Sequence, residues 1–163
     1  MRIFRRSNRS HQSGEQGSAL VELALSLPVL CLILLGSAEF ARLAYGAIEV
    51  TNAAHSAAVY AASSHAALGD SGGISNAAGT DAPNLTGGNS ISVTSVSTSC
   101  SCSDTAYTPS SCSDNSTCFN NHVAMITAVT VTTRSTYSPL VRVPGSALNF
   151  TLNGQSTQVV SNQ

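Results

Sequence analysis

The sequence is poor in charge: only 9% of its 163 residues are charged, and lysine is absent. Seven arginines supply the positive charge, and the formal net charge is −1, so nothing in the composition suggests a nucleic-acid partner. Catalytic groups are also scarce, since His55, His65 and His122 accompany no recognisable nucleophile or base, and no phosphate-binding glycine loop follows a strand. We therefore expect a protein that is not an enzyme and needs no cofactor.

One long apolar stretch lies close to the N-terminus, at residues 19–38. Its twenty residues, at about 1.5 Å each, span the roughly 30 Å hydrocarbon layer of a membrane. Four arginines crowd into the first nine residues, before the stretch: Arg2, Arg5, Arg6 and Arg9. Because positive charge is retained in the cytoplasm, the pattern predicts a single-pass protein with its N-terminus inside and everything after residue 38 exported.

A carboxylate, Glu22, lies near the cytoplasmic end of this stretch. An ionised carboxylate at the bilayer centre costs roughly 2.5–3.5 kcal/mol, so Glu22 needs a shallow position or a partner. If the basic leader, 1–17, is cut after Gly17, Ser18 gains an α-amine four residues before Glu22 on one helical face, where the charges can neutralise each other. Two alternatives stay open: an uncleaved ordinary anchor, and a secretory signal cut after Ala38.

The helix is expected to continue beyond the membrane, as far as Leu68, because this segment is rich in alanine and contains no proline. Apolar residues at alternating steps of three and four define a narrow seam, which comprises Phe40, Leu43, Ala47, Val50, Ala54, Ala57 and Ala61. Its small side chains allow another helix to approach closely. The seam packs either against partner helices or against the chain's own C-terminal domain, and the sequence leaves both open.

The exported part is predicted to be a small β domain. Residues 69–90 contain six glycines and no apolar periodicity, which indicates a flexible linker or a long loop. The tail carries the hairpin dipeptide Asn153-Gly154 between two short strand candidates. In all, four runs in residues 91–163 predict strands: 91–98, 122–137, 147–152 and 156–160. Together with the long helix they indicate an α+β fold, with a small antiparallel sheet packed on the upper helix.

Four of the five cysteines fall in this domain: Cys100, Cys102, Cys112 and Cys118. A small exported domain with few large apolar side chains is typically stabilised by disulfides, so we expect two. Cys100 and Cys102 are too close in sequence for a relaxed bond with each other, which leaves each to join Cys112 or Cys118. Four thiolates binding zinc are the alternative, but the spacing lacks paired CxxC motifs, and no metal is expected.

The junction of leader and apolar helix resembles type IV prepilin-like proteins. The marks are a short basic leader, Gly17, and a glutamate, Glu22, at the fifth position of the chain that starts at Ser18. This resemblance implies that prepilin peptidase, a membrane aspartyl protease, cuts after Gly17 on the cytoplasmic side. It also implies that Gly17, Ser18 and Glu22 serve leader cleavage and subunit alignment.

Residues 15–64 are more closely similar to the TadE-like proteins of tight-adherence pilus systems. The similarity lies in LVELALSLPVLCLILLGSAEFARLAY, with Glu39 and the aromatics Phe40 and Tyr45 just outside the span, followed by TNAAHSAAVYAA. His55 and Val59 depart from the pattern, since many relatives carry charged or small residues there.

The resemblance implies a membrane-anchored minor pseudopilin or assembly component of an adhesive, Flp-type pilus. Such a protein sits in the bacterial inner membrane with a periplasmic or extracellular C-terminal domain, and associates with the filament. It acts by helix packing and protein binding, with the membrane, prepilin peptidase, other pilin-like subunits and the assembly machinery as partners. The alternative is a secreted or anchored extracytoplasmic binding domain unrelated to pili.

Overall fold

The computed structural model describes residues 13–104, 106, 109, 111–112, 116–140 and 149–160, with backbone alone for 13–16 and Gly88. Residues 1–12 of the predicted leader, and 147–148 of one predicted strand, lie outside these ranges. The chain divides into two compact units, Met1–Phe40 and Ala41–Gln163, which are described separately.

The first unit is helical wherever it is described. Its helix is the beginning of α1, Ser13–Ala62, a 50-residue element that includes Pro28 and continues into the second unit. The leucine, valine and isoleucine side chains from Leu20 to Leu35 are 50–73% exposed. By length and composition, the helix over Gly17–Ala62 is able to cross a membrane. So large an apolar surface is typical of a helix that lipid covers, and it agrees with the predicted anchor.

The second unit combines the upper part of α1 with short helices and a sheet. Three elements precede the first strand: helix α2, His65–Leu68; helix α3, Ser71–Thr80; and a 3₁₀ turn, Gly87–Asn89. Helix α4, Ser116–Asn120, lies between the first two strands. The strands are β1 Ser92–Cys102, β2 Met125–Tyr137 and β3 Phe150–Val159. They form an antiparallel sheet in the order β1-β2-β3. The predicted α+β class, with a long N-terminal helix before a small antiparallel sheet, is confirmed.

The core lies between the upper part of α1 and the inner face of the sheet. Strand β2 alternates between buried and half-buried positions, as expected for a strand with one face on a core, and Val129 and Val131 are fully buried. The cluster is completed by Ile74, Val160 and alanines of α1, among them Ala53, Ala57 and Ala61. Because alanine projects only a methyl group, the helix backbone lies close to the sheet.

Residues 69–90, predicted as a linker or loop, instead contain helix α3. Asp70 caps this helix, because its Oδ1 accepts a hydrogen bond of 2.9 Å from the Gly73 N–H. Ile74 and Ala78, one turn apart, are both buried in the core. Glycine has a low helix propensity, so the sequence did not predict this helix. Two features of the sequence could have indicated it: the capping residue Asp70 and the one-turn spacing of Ile74 and Ala78.

The Asn153-Gly154 pair is not a hairpin turn. Both residues lie inside the single strand β3, where Asn153 pairs with Arg134 and Gly154 with Thr133. A Cβ atom on Gly154 would overlap the carbonyl group of Val50 in α1. The glycine is therefore required by the close approach of the helix rather than by a turn.

Candidate functional site

The residues predicted for leader cleavage and alignment lie near the start of α1. Gly17, Ser18 and Glu22 are all exposed on the helix of the first unit. A Cβ on Gly17 would meet no atom within 4 Å, so nothing packs on that position. The bond after Gly17 is helical, and a protease that binds extended chain would have to unwind this end of the helix. The roles of the three residues stay predictions.

The seven seam residues fall into two groups. Val50, Ala54, Ala57 and Ala61 are fully buried within the second unit. Leu43 is half-buried and Ala47 exposed, and Phe40, at the end of the first unit, is 72% exposed. The four buried residues therefore pack within the second unit of the chain itself, which is one of the two environments that the sequence left open for the seam. Packing of partner helices along the seam stays a prediction.

A different face of α1 is exposed on the second unit. It carries Ala44, Ile48, Thr51, His55 and Val59, at steps of four, three, four and four, and is called the outer face below. Ile48 is 58% and Val59 49% exposed. The ring nitrogen Nδ1 of His55 lies 3.2 Å from Gln158 Nε2 and 3.4 Å from Ser156 Oγ, both on β3. Apolar periodicity alone missed this face, because two of its five side chains are polar.

A cavity of about 490 Å³ opens beside the first turns of α1 in the second unit. It is lined by Arg42, Tyr45 and Glu49 of the helix, by Asn84 of the loop after α3 and by Tyr137 at the end of β2. The Asn84 amide Nδ2 donates to Glu49 Oε1 at 2.6 Å and to the Tyr45 hydroxyl at 3.2 Å. The Arg42 guanidinium lies 5.7 Å from the centre of the Tyr137 ring, a cation–π contact.

A hydrogen bond joins the end of α1 to the start of α3. The Tyr60 hydroxyl donates to Asp70 Oδ2 at 2.6 Å. This bond raises the pKa of Tyr60, and the negative charge of Asp70 raises it further. The same bond lowers the pKa of Asp70, and the Gly73 N–H adds to the effect.

The four cysteines of the second unit form two disulfides, as expected. Cys100 bonds Cys112 and Cys102 bonds Cys118, with Cα atoms 5.3 and 5.4 Å apart. Both bonds tie the end of β1 to the segment that precedes β2, and Cys102 and Cys118 are buried. Cys31 is a free, exposed thiol in the first unit. Within the described ranges, no group of three or more His, Cys, Asp or Glu side chains is placed to hold a metal ion.

Residues 17–59 match the family model described as TadE-like protein. This segment is TadE-like. No curated protein and no solved structure matches the chain. The TadE-like match covers the whole predicted span, the seam up to Ala57, the outer face and the helical side of the cavity. It ends before Tyr60, so the sheet and both disulfides lie beyond it.

The TadE-like family implies a role in tight-adherence pilus systems. It is not known as a family of enzymes, and it suggests contact with pilus assembly components and with the membrane. The apolar helix of the first unit fits a membrane anchor in such a protein.

Proposed function

We propose that this chain is a minor pseudopilin or assembly component of an adhesive, tight-adherence pilus, and that it acts by helix packing and protein binding. The observation that carries the proposal is the TadE-like match over residues 17–59, which falls on one unbroken helix with an exposed apolar surface. A helix that serves only its own fold would bury such a surface.

The proposed orientation places the leader in the cytoplasm and the second unit outside the inner membrane. Four arginines before the span favour a cytoplasmic N-terminus. Two disulfides in the second unit support its export, because disulfides persist in oxidising compartments such as the periplasm.

Prepilin peptidase is the proposed processing enzyme, and the cut is proposed after Gly17. The exposed position of this glycine, with no atom packed on it, supports access for a protease once the helix end unwinds. The cut removes the arginine-rich leader and leaves the Ser18 α-amine four residues before Glu22. Amine and carboxylate then neutralise each other within or between subunits.

Partner helices are proposed to pack on the outer face and on Leu43 and Ala47 of the seam, all in the second unit, and separately on Phe40 of the first unit. These residues keep exposed surface on α1, whereas the upper seam residues are covered by the chain's own sheet. Ala44 and Ala47 permit close approach, and Ile48 and Val59 supply apolar area.

Intact-mass measurement of the membrane-extracted protein, expressed with and without a prepilin peptidase, tests the processing step. We expect the chain to start at Ser18 only when the peptidase is present. A start at Glu39 would indicate signal peptidase and a released binding domain, and a start at Met1 with the peptidase present would contradict the proposal.

Replacement of Glu22 by alanine tests the alignment role. We expect Glu22→Ala to insert into the membrane normally, while pilus assembly fails because the Ser18 amine has lost its counter-charge. Ser26→Ala, one turn further along, is the matched control, since the Ser26 hydroxyl bonds the Leu23 carbonyl of its own helix. Normal piliation in Glu22→Ala would count against the alignment role.

A further inference from the structure

The two disulfides of the second unit differ in exposure. In the Cys102–Cys118 bond, called the inner disulfide below, the two residues are 3% and 1% exposed. In the Cys100–Cys112 bond, called the outer disulfide, both residues are half-buried and keep exposed surface. Thiol–disulfide exchange requires that an attacking thiolate reach a sulfur atom, so exposed disulfides are the labile ones in proteins. Exposure therefore favours exchange at the outer disulfide.

Backbone hydrogen bonds hold the segment around the inner disulfide. The carbonyl of Cys118 in α4 accepts from the Val123 N–H at 3.0 Å. The Ser103 N–H donates to the Ala124 carbonyl at 2.7 Å, and the Ala124 N–H donates to Ser103 Oγ at 3.2 Å. These bonds tie α4 and the end of β1 to the start of β2, and none of them involves the outer disulfide. We therefore expect the second unit to stay folded when the outer disulfide alone is opened.

One sulfur atom of the outer disulfide has a hydrogen-bond donor beside it. Cys100 lies directly opposite Thr127 in the ladder of β1 and β2. The Thr127 Oγ1 is 3.7 Å from Cys100 Sγ, a hydrogen-bond distance for the larger sulfur atom. Because a disulfide sulfur carries no hydrogen, the Thr127 hydroxyl is the donor. Thr127 is only 7% exposed, so little water competes for this bond.

This hydroxyl favours one direction of attack. When a thiolate attacks a disulfide, one sulfur forms the new bond and the other departs as a thiolate. A sulfur leaves faster when its developing charge is stabilised, and a hydrogen bond to a charged acceptor is stronger than one to a neutral acceptor. The Thr127 hydroxyl is in place to stabilise charge on Cys100 Sγ before the reaction begins. The favoured direction is therefore attack on Cys112, with Cys100 as the leaving thiolate.

We propose that the outer disulfide is a thiol–disulfide exchange site whose substrate is a dithiol, and that the attack occurs at Cys112 Sγ. In the first step, one thiolate of the dithiol bonds Cys112 Sγ, the bond between the two cysteines breaks, and its electron pair stays on Cys100 Sγ. In the second step, the other thiolate of the dithiol attacks the dithiol's own first sulfur and releases Cys112 as a thiolate.

The two steps together transfer two electrons. The dithiol is oxidised to a disulfide, and the outer disulfide is reduced to two thiols. Cys100 and Cys112 each take up one proton, which replaces the two protons that the dithiol releases. The same steps in reverse close the bond at the expense of the partner's disulfide.

The natural dithiol is a thiol–disulfide oxidoreductase outside the cytoplasm. This assignment rests on the export of the second unit in the proposed function. The selectivity between the two disulfides and the choice of the attacked sulfur rest only on the geometry of the second unit. The tests below use purified protein and small thiols, so their failure would leave the proposed pilus role intact, and the failure of that role would not alter their results.

Dithiothreitol tests the selectivity. The detergent-purified full-length protein is first treated with N-ethylmaleimide to block the free thiol of Cys31, and is then reduced and quenched with iodoacetamide at successive times. Peptide mass spectrometry follows each disulfide. We expect the outer disulfide to open about tenfold faster than the inner one, with an unchanged circular dichroism spectrum while it alone is open. Equal rates, or faster opening of the inner disulfide, would overturn the proposal.

Reduced glutathione tests which sulfur is attacked, because a monothiol stops at the first step and leaves a mixed disulfide. Iodoacetamide added at early times traps the leaving thiol. We expect glutathione on Cys112 and the alkyl group on Cys100. Glutathione mainly on Cys100, or equally on both residues, would overturn the proposed direction of attack.

Thr127→Val removes the hydroxyl and keeps the side-chain shape. We expect the outer disulfide to open about tenfold more slowly in this variant, with the preference for Cys112 lost and the rate of the inner disulfide unchanged. Thr127→Ser keeps the hydroxyl and should restore both the rate and the preference. The matched control is Thr130→Val, on the opposite face of β2, where the hydroxyl pairs with that of Thr157 at 2.8 Å.

An unchanged rate and an unchanged preference in folded Thr127→Val would overturn the role of the hydroxyl. If Thr127→Val does not fold, the glutathione experiment on the wild type and on Thr127→Ser decides, since both keep the hydroxyl and should both carry glutathione on Cys112. A mixed disulfide on Cys100 in either protein would then count against the proposal.

Discussion

Thr133, in the central strand, donates a hydrogen bond of 2.8 Å from its Oγ1 to the carbonyl oxygen of Val50 in the long helix. The two residues are 83 positions apart in sequence and both are fully buried. Gly154 pairs with Thr133 on the neighbouring strand, at the point where a Cβ would overlap the same carbonyl group. Helix and sheet therefore meet backbone to backbone at Val50, and this contact fixes the helix on the sheet.

Thr133→Val should lower the free energy of unfolding of the second unit by about 1 kcal/mol, because it removes this hydrogen bond and keeps the shape of the side chain. Urea unfolding of the detergent-purified protein, followed by circular dichroism, measures the change. Thr132→Val, on the opposite face of the same strand, is the matched control, and should change the value by less than about 0.5 kcal/mol. Equal values for the two variants would show that the bond contributes nothing.

Gly154→Ala should be more damaging, with a loss of about 3 kcal/mol, because the new methyl group must displace the helix at Val50. Gly79→Ala in α3 is the control, since a Cβ there meets no atom within 4 Å. We expect Gly79→Ala to stabilise the unit by up to about 1 kcal/mol, through helix propensity. The same urea titration compares them, and a tolerated Gly154→Ala would show that helix and sheet are not in backbone contact.

The long helix, the strand at 122–137 and the number of disulfides were predictable because each depends on a local or compositional signal. Apolar length indicated the helix, β-branched residues indicated the strand, and four cysteines after the predicted span indicated two disulfides. The structure adds the pairing of Cys100 with Cys112 and of Cys102 with Cys118. The sequence alone left open which of Cys112 and Cys118 each of the other two cysteines would join.

Glycine explains most of what sequence reasoning did not find. Gly154 lies in a strand and the glycines of α3 lie in a helix, although the local sequence predicted a turn at Gly154 and a linker or loop at α3. Tertiary contacts override those local preferences: the Val50 carbonyl at Gly154, and the burial of Ile74 in α3. The cavity was equally hidden, since Glu49 and Asn84 are 35 residues apart and only the fold brings them together.

The bond between Tyr60 and Asp70 predicts a stability that depends on pH at both extremes. The pKa of Asp70 is lowered from its ordinary 3.8, so its contribution is present above that pH and is lost as the pH falls through the lowered value. The pKa of Tyr60 is raised from its ordinary 10.0, so its contribution is present below pH 10 and is lost as the pH rises through the raised value.

Tyr60→Phe should therefore be less stable than the wild type between about pH 5 and pH 9, and the difference should shrink beyond both limits. Thermal unfolding across the pH range measures it. Asp70→Asn is the informative control, because asparagine still caps α3 and accepts a hydrogen bond from the Tyr60 hydroxyl but does not titrate. The loss of stability at acidic pH should therefore be smaller in Asp70→Asn than in the wild type. A difference between Tyr60→Phe and the wild type that is constant at all pH values would contradict the assignment.

His122 has a φ of 57°, and it is the single residue other than glycine with positive φ within the described ranges. It follows α4, where the His122 N–H bonds the Phe119 carbonyl and the Val123 N–H bonds the Cys118 carbonyl, each at 3.0 Å. This pair of bonds is a Schellman motif, which places a left-handed residue directly after a helix and favours glycine there.

His122→Gly should stabilise the second unit by about 1 kcal/mol, because glycine adopts this conformation without the penalty that a Cβ imposes. The expected gain is the backbone strain that glycine removes at residue 122, less the free-energy cost of its greater conformational freedom in the unfolded chain. Urea unfolding of the oxidised protein measures the gain. Asn120→Gly, two residues earlier inside α4, adds the same flexibility at negative φ and should destabilise the unit by up to about 1 kcal/mol. If both substitutions lowered the stability equally, the left-handed turn after α4 would not be the conformation of the folded chain.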